Sequence, residues 1–242
     1  MAVENKQPDQ ELPIYTCAEI GDLTTDILLD AYRNGSFPMG EDADDDTLYW
    51  IEPTERGIIP LDGFHLSRSL RRVIRRERFE VRINSDFDGV IGGCGSVRAG
   101  RLSTWINEPI RRLYRALFDQ GHCHTVEVWR DNKLAGGLYG VHIGGAFFGE
   151  SMFSFERDAS KVALTHLVAR LNHCGFSLLD TQFITDHLRS MGGIEIDRAV
   201  YRKMLDRAIN EKADFLTPPL PLPAHSVLQL VSQTSKTGCS TP

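Results

Sequence analysis

The chain has 242 residues, 41% apolar and 25% charged, with a net charge of −6, which suits one large domain, or a domain with a small accessory unit, around an ordinary core. Its apolar runs fall far short of the roughly 20 residues that span a bilayer and Met1 to Pro13 is polar and acidic, so neither a membrane span nor a signal peptide is expected. Cys17, Cys94, Cys123, Cys174 and Cys239 are odd in number and scattered without a C-x-x-C pair to suggest zinc or redox chemistry, and a reducing cytoplasm fits best.

Residues 1–62 read as a small N-terminal domain whose first 13 residues are disordered. Thr24 or Thr25 caps a short helix that places Ile27, Leu28, Ala31 and Tyr32 on one face and stops at Gly35. Glu41 to Asp46 follows as a solvated acidic loop, and the Gly, Pro and Asp of Gly57 to Phe64 mark a seam. The main domain, 63–214, opens on a basic helix. Arg68, Arg71, Arg72, Arg75 and Arg76 recur at i, i+3, i+4, i+7 and i+8, opposite Leu66, Leu70 and Val73. Five guanidiniums on one face can grip several phosphates. The same pattern fits a solvated face paired with Glu77 or with the acidic loop. Asn107 and Pro109 start a second helix, with Ile110, Leu113, Tyr114 and Leu117 in phase up to Gly121.

Thr125 to Trp129, Leu134 to Val141 and Ala146 to Gly149 then read as a strand meander. Ser160 to Cys174 is a helix through Leu164, Leu167, Val168 and Leu171, and Phe176 to Gln182 a strand. Short helices follow at Thr185 to Met191 and Arg198 to Ile209, and residues 215–242, rich in Pro, Ser and Thr, read as an extended or disordered tail. Strands, helix, strand, helix imply an α+β, mixed α/β architecture with helices on a largely antiparallel sheet.

Three dense segments invite chemistry: Thr104-Trp105-Ile106, Gly149 to Ser154 with Ala159-Ser160-Lys161, and Asp180-Thr181-Gln182. Asp180 and Gln182, two apart on a strand, point to one face, where a carboxylate and an amide can orient each other or merely pair at a strand end. Glu150 lies among Phe147, Phe148, Met152 and Phe153, where a carboxylate needs partners. Gly149-Glu150-Ser151 starts like a nucleophile elbow, with Asp180 and His187 in triad order, but Phe153 stands where the second glycine belongs. His122 and His124 alternate as two possible metal ligands, with a third to come from His142 or Glu127; two ligands do not make a site, and no metal is expected.

Taken together, the segments Ala31 to Pro38, His65 to Ser69, Thr104 to Ile106, Val126 to Trp129, Gly136 to Gly140, Gly149 to Ser154, Ala159 to Lys161, Asp180 to Gln182 and His187-Leu188 resemble the leucyl/phenylalanyl-tRNA protein transferase family from about Leu23 to Ile209. The resemblance implies a small N-terminal domain and a main domain with the acyltransferase fold of the GCN5-related group. It implies transfer of Leu, and also Phe or Met, from aminoacyl-tRNA to proteins beginning with Arg or Lys, which marks them for N-end-rule degradation. Carried over by position, Glu150, Asp180 and Gln182 are functional polar residues, and Trp105 lies near the tRNA's terminal adenosine. Leu138, Phe147, Leu164, Leu167, Leu171 and Leu179 fall on the pocket for the aminoacyl side chain. Met39 and Trp50-Ile51-Glu52-Pro53 depart from the commoner family residues.

Aminolysis of an activated ester calls for positioning and for no cofactor. Asp180 is expected to accept a hydrogen bond from the Gln182 amide, so that the Gln182 carbonyl orients the attacking amine, and the arginine stripe to hold acceptor-stem phosphates. Two other readings fit less of the chain. An acetyl-CoA-dependent N-acetyltransferase would use Arg189 to Ile194 as a pyrophosphate loop, and a non-enzymatic RNA-binding adaptor leaves Glu150, Asp180 and Gln182 without a purpose.

Overall fold

A computed structural model describes residues 14–15, 23–40, 48–96, 104 and 106–233. The expected disorder of residues 1–13, the acidic loop Glu41 to Asp46 and Trp105 lie outside the described residues. Among the described residues, no helix is long and apolar enough to cross a membrane.

Thr24 caps α1 (Thr25–Arg33), its hydroxyl accepting from the Ile27 N–H at 3.3 Å, and Gly35 closes the turn at φ +73°. The buried side chains are Leu28, Leu29 and Tyr32. Ile27, expected on that face, is 43% exposed. Strands β1 (Ile14–Tyr15), β2 (Phe37–Gly40) and β3 (Leu48–Ile51) form a small antiparallel sheet in the order β1-β3-β2.

The main sheet has seven strands: β4 (Glu55–Ile58), β5 (Glu80–Ile83), β6 (Cys123–Arg130), β7 (Lys133–Ile143), β8 (Ala146–Ser154), β9 (Leu178–Gln182) and β10 (Ile194–Asp197). Their order is β10-β4-β9-β8-β7-β6-β5. All neighbours are antiparallel except β8 and β9, whose parallel pairing is closed by the crossover helix α5 (Ala159–His173) and stops at Phe148 opposite Asp180. The seam expected at Gly57 to Phe64 is therefore misplaced. Residues 55–58 belong to the large sheet, where Gly57 lets β4 approach so closely that an added Cβ would sit 2.8 Å from the Phe183 backbone.

The sheet is covered on both faces. Adjacent Phe147 and Phe148 on β8 point to opposite cores, as a strand buried on both sides requires. One core receives α3 (Phe87–Gly95), α4 (Glu108–Asp119) and α7 (Arg198–Ala208), with α1 behind α4. The other receives α5, the basic helix α2 (Arg68–Arg75) and α8 (Ala224–Gln233). The short helix α6 (Asp186–Arg189) links β9 to β10. The fold is thus mixed α+β, helices on a largely antiparallel sheet.

The extended tail expected from residue 215 is corrected over its described part. Phe215, Leu222, Val227 and Val231 are buried, and α8 packs on α5 and α2. Arg170 on α5, 1% exposed, donates to the carbonyls of Phe215 at 2.7 Å, Thr217 at 2.9 Å and Pro219, which compensates a buried guanidinium with backbone dipoles. Prolines and serines suggested a tail, while Val227 and Val231, four apart, carried the helical signal.

Candidate active site

Glu150 owes its position to a β-bulge. Gly140 on β7 pairs with Gly149 and Tyr139 with Ser151, so Glu150 has no opposite residue and leaves the strand's strict alternation. Tyr32 Oη lies 2.7 Å from its Oε1 and Tyr114 Oη 2.8 Å from its Oε2, both at hydrogen-bond distance, while the two phenol oxygens lie 2.5 Å apart. Gln182 Nε2 donates to Oε1 at 3.2 Å. Burial pushes the Glu150 carboxyl up to about 7, the hydrogen bonds from Tyr32 and Tyr114 hold it down, nearby Asp180 adds to the rise and Arg56 opposes it. Both tyrosines are fully buried.

Asp180 is built into a different network. Arg56 meets it as a fork, Nη2 at 2.7 Å from Oδ2 and Nε at 2.9 Å from Oδ1. Tyr201 donates to Oδ2 at 2.6 Å and the Gln182 backbone N–H to Oδ1 at 2.8 Å. The remaining Arg56 arm donates to the Gly35 carbonyl at 2.8 Å, tying β4 to the end of α1. Arg56 also lies over the rings of Phe37 and Tyr201, 4.7 and 4.6 Å from their centroids. Burial works to lower the Arg56 pKa, and the facing Asp180 raises it above its ordinary value. The expected side-chain bond from Gln182 to Asp180 is therefore corrected. Asp180 takes the Gln182 backbone N–H instead, which holds Gln182 in the left-handed region at φ +57°, and the side-chain amide turns to Glu150.

Beside this pair lies a cavity of about 310 Å³. Leu138, Leu164, Leu167 and Leu179 line it with Glu150 and Gln182. Phe147 and Leu171, expected with them, sit fully buried in the core, Phe147 stacked on Phe215 at 5.4 Å. Met39 and the half-exposed Phe183 add further apolar wall. Ser151 and His187 also face the cavity, but the carboxylate that would orient a hydrolase triad is engaged by Arg56 and Tyr201.

The other candidates fall elsewhere. His124 Nε2 lies 2.8 Å from His142 Nδ1, and its Nδ1 2.9 Å from the Asn84 amide, so both ring nitrogens are engaged. Burial pushes these imidazoles down, to about 3 for His124 and about 4 for His142. Arg189 to Ile194 runs from the end of α6 through Gly192, at φ +97°, into β10. It precedes a strand rather than a helix, so it offers no helix N-terminus to a pyrophosphate.

On α2, Ser67 caps the helix and Leu70 and Ile74 are buried, with Leu66 and Val73 partly so. Arg68, Arg72, Arg75 and Arg76 are exposed, and Arg71 donates to Ser232 at 3.0 Å. Among the described residues none of the five has a carboxylate partner, Glu77 included. Sequence reasoning missed Arg56, Tyr201, Tyr32 and Tyr114 as site residues. Tyr32 lies in the segment Ala31 to Pro38, where its polar tip on a buried helix face was the available signal.

Two sequence profiles match. Residues 58–206 fit that described as leucyl/phenylalanyl-tRNA protein transferase and residues 21–54 that of its N-terminal domain. Proteins named leucyl/phenylalanyl-tRNA protein transferase are similar to the chain along most of their length. The one from Nitrobacter winogradskyi is 55% identical over 216 residues, 88% of this chain and 96% of the relative. The one from Rhodopseudomonas palustris is 54% identical over 215 residues, with 88% and 96% covered. The one from Afipia carboxidovorans is 51% identical over 218 residues, with 89% and 96% covered.

Proposed function

The chain belongs to the leucyl/phenylalanyl-tRNA protein transferase family, whose members are aminoacyltransferases, and from this we propose that it transfers leucine, and also phenylalanine or methionine, from aminoacyl-tRNA to the N-terminal Arg or Lys of acceptor proteins in the cytoplasm. The product is marked for N-end-rule degradation. One observation carries the reading: a leucine-lined cavity with Glu150 and Gln182, joined by a hydrogen bond, on its wall. An apolar side chain fits the leucines, and the polar pair meets the ester and the incoming amine.

The ester is already activated, so placing a neutral amine against it supplies much of the rate. An α-amine with an ordinary pKa near 8 is partly neutral at cytoplasmic pH. Leu138, Leu164, Leu167 and Leu179 are assigned to the donor side chain, Phe147 and Leu171 to the core beneath them, and Trp105 to the terminal adenosine. Size selection by such a pocket is worth about 1–3 kcal/mol per methylene, which admits Met beside Leu. Arg68, Arg71, Arg72, Arg75 and Arg76 are assigned to tRNA phosphates, supported by the want of carboxylate partners among the described residues. The large domain is read as a GCN5-related acyltransferase, supported by the one parallel strand pair among the described residues, whose pairing ends at Phe148 and Asp180 beside the cavity.

The test is transfer of labelled leucine from leucyl-tRNA to a peptide beginning with Arg, beside the same peptide beginning with Ala and an acetyl-CoA control. Leucine incorporation that depends on the Arg is expected. Acetylation without leucylation would overturn the assignment.

A further inference from the structure

Three oxygen contacts close a triangle beside the cavity: Tyr32 Oη to Tyr114 Oη at 2.5 Å, Tyr32 Oη to Glu150 Oε1 at 2.7 Å and Tyr114 Oη to Glu150 Oε2 at 2.8 Å. At these separations each contact needs one proton between its oxygens. Two phenols carry two protons. If Glu150 is ionised it takes both, and the phenol oxygens face each other, lone pair to lone pair, at 2.5 Å. A carboxyl proton removes the conflict. Glu150 Oε2–H then donates to Tyr114, Tyr114 to Tyr32, and Tyr32 to Oε1, which also accepts from Gln182.

We propose that Glu150, Tyr32 and Tyr114 form a ring that holds three protons and exchanges one of them with the reacting atoms during aminoacyl transfer. This rests on the transferase reading given above. As the amine nitrogen bonds to the ester carbon, the bond from that carbon to the ribose oxygen breaks. The departing oxygen takes the carboxyl proton, and the carboxylate takes one proton from the nitrogen, which becomes the amide N–H. The ring ends with the three protons it began with. Glu150 lines the cavity and is the catalytic member; the tyrosines act through it and are positioning residues.

The groups facing Glu150 agree. Burial raises its carboxyl to about 7, against the two phenols and Arg56 and together with Asp180. Burial and Glu150 hold both phenols above their usual value, and the buried thiol of Cys123 likewise, while Tyr139 neighbours both phenols. The carboxyl is thus the member that titrates first.

Infrared difference spectra of the full chain against Glu150→Gln test the ring directly. A carboxylic-acid carbonyl band is expected in the wild type. It should be absent from Glu150→Gln, fade as pH rises through about 7, and shift in frequency in Tyr32→Phe and Tyr114→Phe, each of which opens the ring. Wild-type turnover should show a limb near the same pH that Glu150→Gln lacks, with thermal unfolding confirming that each variant is folded. A wild type that transfers leucine without such a band overturns the ring and leaves the transferase reading standing. A band present in a protein that transfers no leucine overturns the exchange step together with that reading.

Discussion

Replacing Arg56 by methionine would strip Asp180 of its guanidinium while leaving it buried, with Tyr201 and the Gln182 N–H as its remaining donors among the described residues. Both partners are almost inaccessible, at 1% and 0% exposure, so solvent cannot step in. Removing one partner of such a pair costs about 3–5 kcal/mol, because a buried charge is left uncompensated. At roughly 2–4 °C per kcal/mol for a chain of this size, the melting temperature should fall by about 6–20 °C. Turnover should also fall, since Asp180 fixes the strained backbone of Gln182, and a displacement of about 1 Å at a reacting group costs on the order of 100-fold. The double variant Arg56→Met with Asp180→Asn removes both charges and keeps the shape. It should recover more than half of the lost stability, because no buried charge is then left uncompensated, but not the turnover. Urea unfolding followed by fluorescence, beside leucine transfer, separates the two effects. A single variant losing under about 1 kcal/mol, or a double variant no more stable than the single, would refute the view that Arg56 compensates Asp180.

Glu150 also sets a pH dependence of stability. Its folded value, about 7, lies above the ordinary 4.5, so its contribution is complete below 4.5 and is lost as pH rises through 7. Relative to Glu150→Gln, the wild type should lose up to about 3 kcal/mol over that range, measured as unfolding free energies at several pH values; a flat difference would contradict the shift. Alanine at Arg72, Arg75 and Arg76 together should raise the Michaelis constant for leucyl-tRNA and flatten its salt dependence by about 0.7–0.9 logarithmic units per lost phosphate contact, with melting unchanged. A salt response equal to the wild type would remove these arginines from the tRNA surface. Ending the chain at Asp214 would leave Arg170 without its three carbonyls and expose the α5 face that Val227 and Val231 cover. Loss of soluble, cooperatively unfolding protein is expected, and a truncated chain that melts like the full one would contradict a structural tail.

What the sequence displayed is what repeats locally. The strands β6 and β7 and the helix α5 are long and periodic; the expected strands fall inside the observed ones, which extend further at both ends, and the expected helix differs from α5 by one residue at each end. Elements of four residues, such as β4 and β5, carry too few alternations to register, and β4 was further masked by the glycine and prolines around it. Helix α3 was hidden by four glycines in nine residues; tertiary burial of Val90, Ile91 and Cys94 outweighs that poor propensity. In the site, Asp180 and Gln182 share a strand and Glu150 sits in a run of aromatics, so all three drew notice. Arg56 lies 124 residues from Asp180, and Tyr32 lies 118 from Glu150. No local period encodes such pairs.

Those two long-range pairs also define how labour is divided between the carboxyls. Asp180 has no wall on the cavity among the described lining residues, and Arg56, Tyr201 and the Gln182 N–H occupy its oxygens, so it acts on the backbone. Glu150 is on the wall, lifted there by a bulge, and meets the Gln182 side chain. Gln182 is therefore set twice, its main chain by one carboxyl and its amide by the other. Each carboxyl is in turn tied to α1 or the turn that ends it: Glu150 through Tyr32, and Asp180 through the Arg56 contact to the Gly35 carbonyl. The small N-terminal segment thus supplies a partner to each half of the candidate site, Tyr32 to Glu150 and the Gly35 carbonyl to Arg56, at the point where the chain turns into β2.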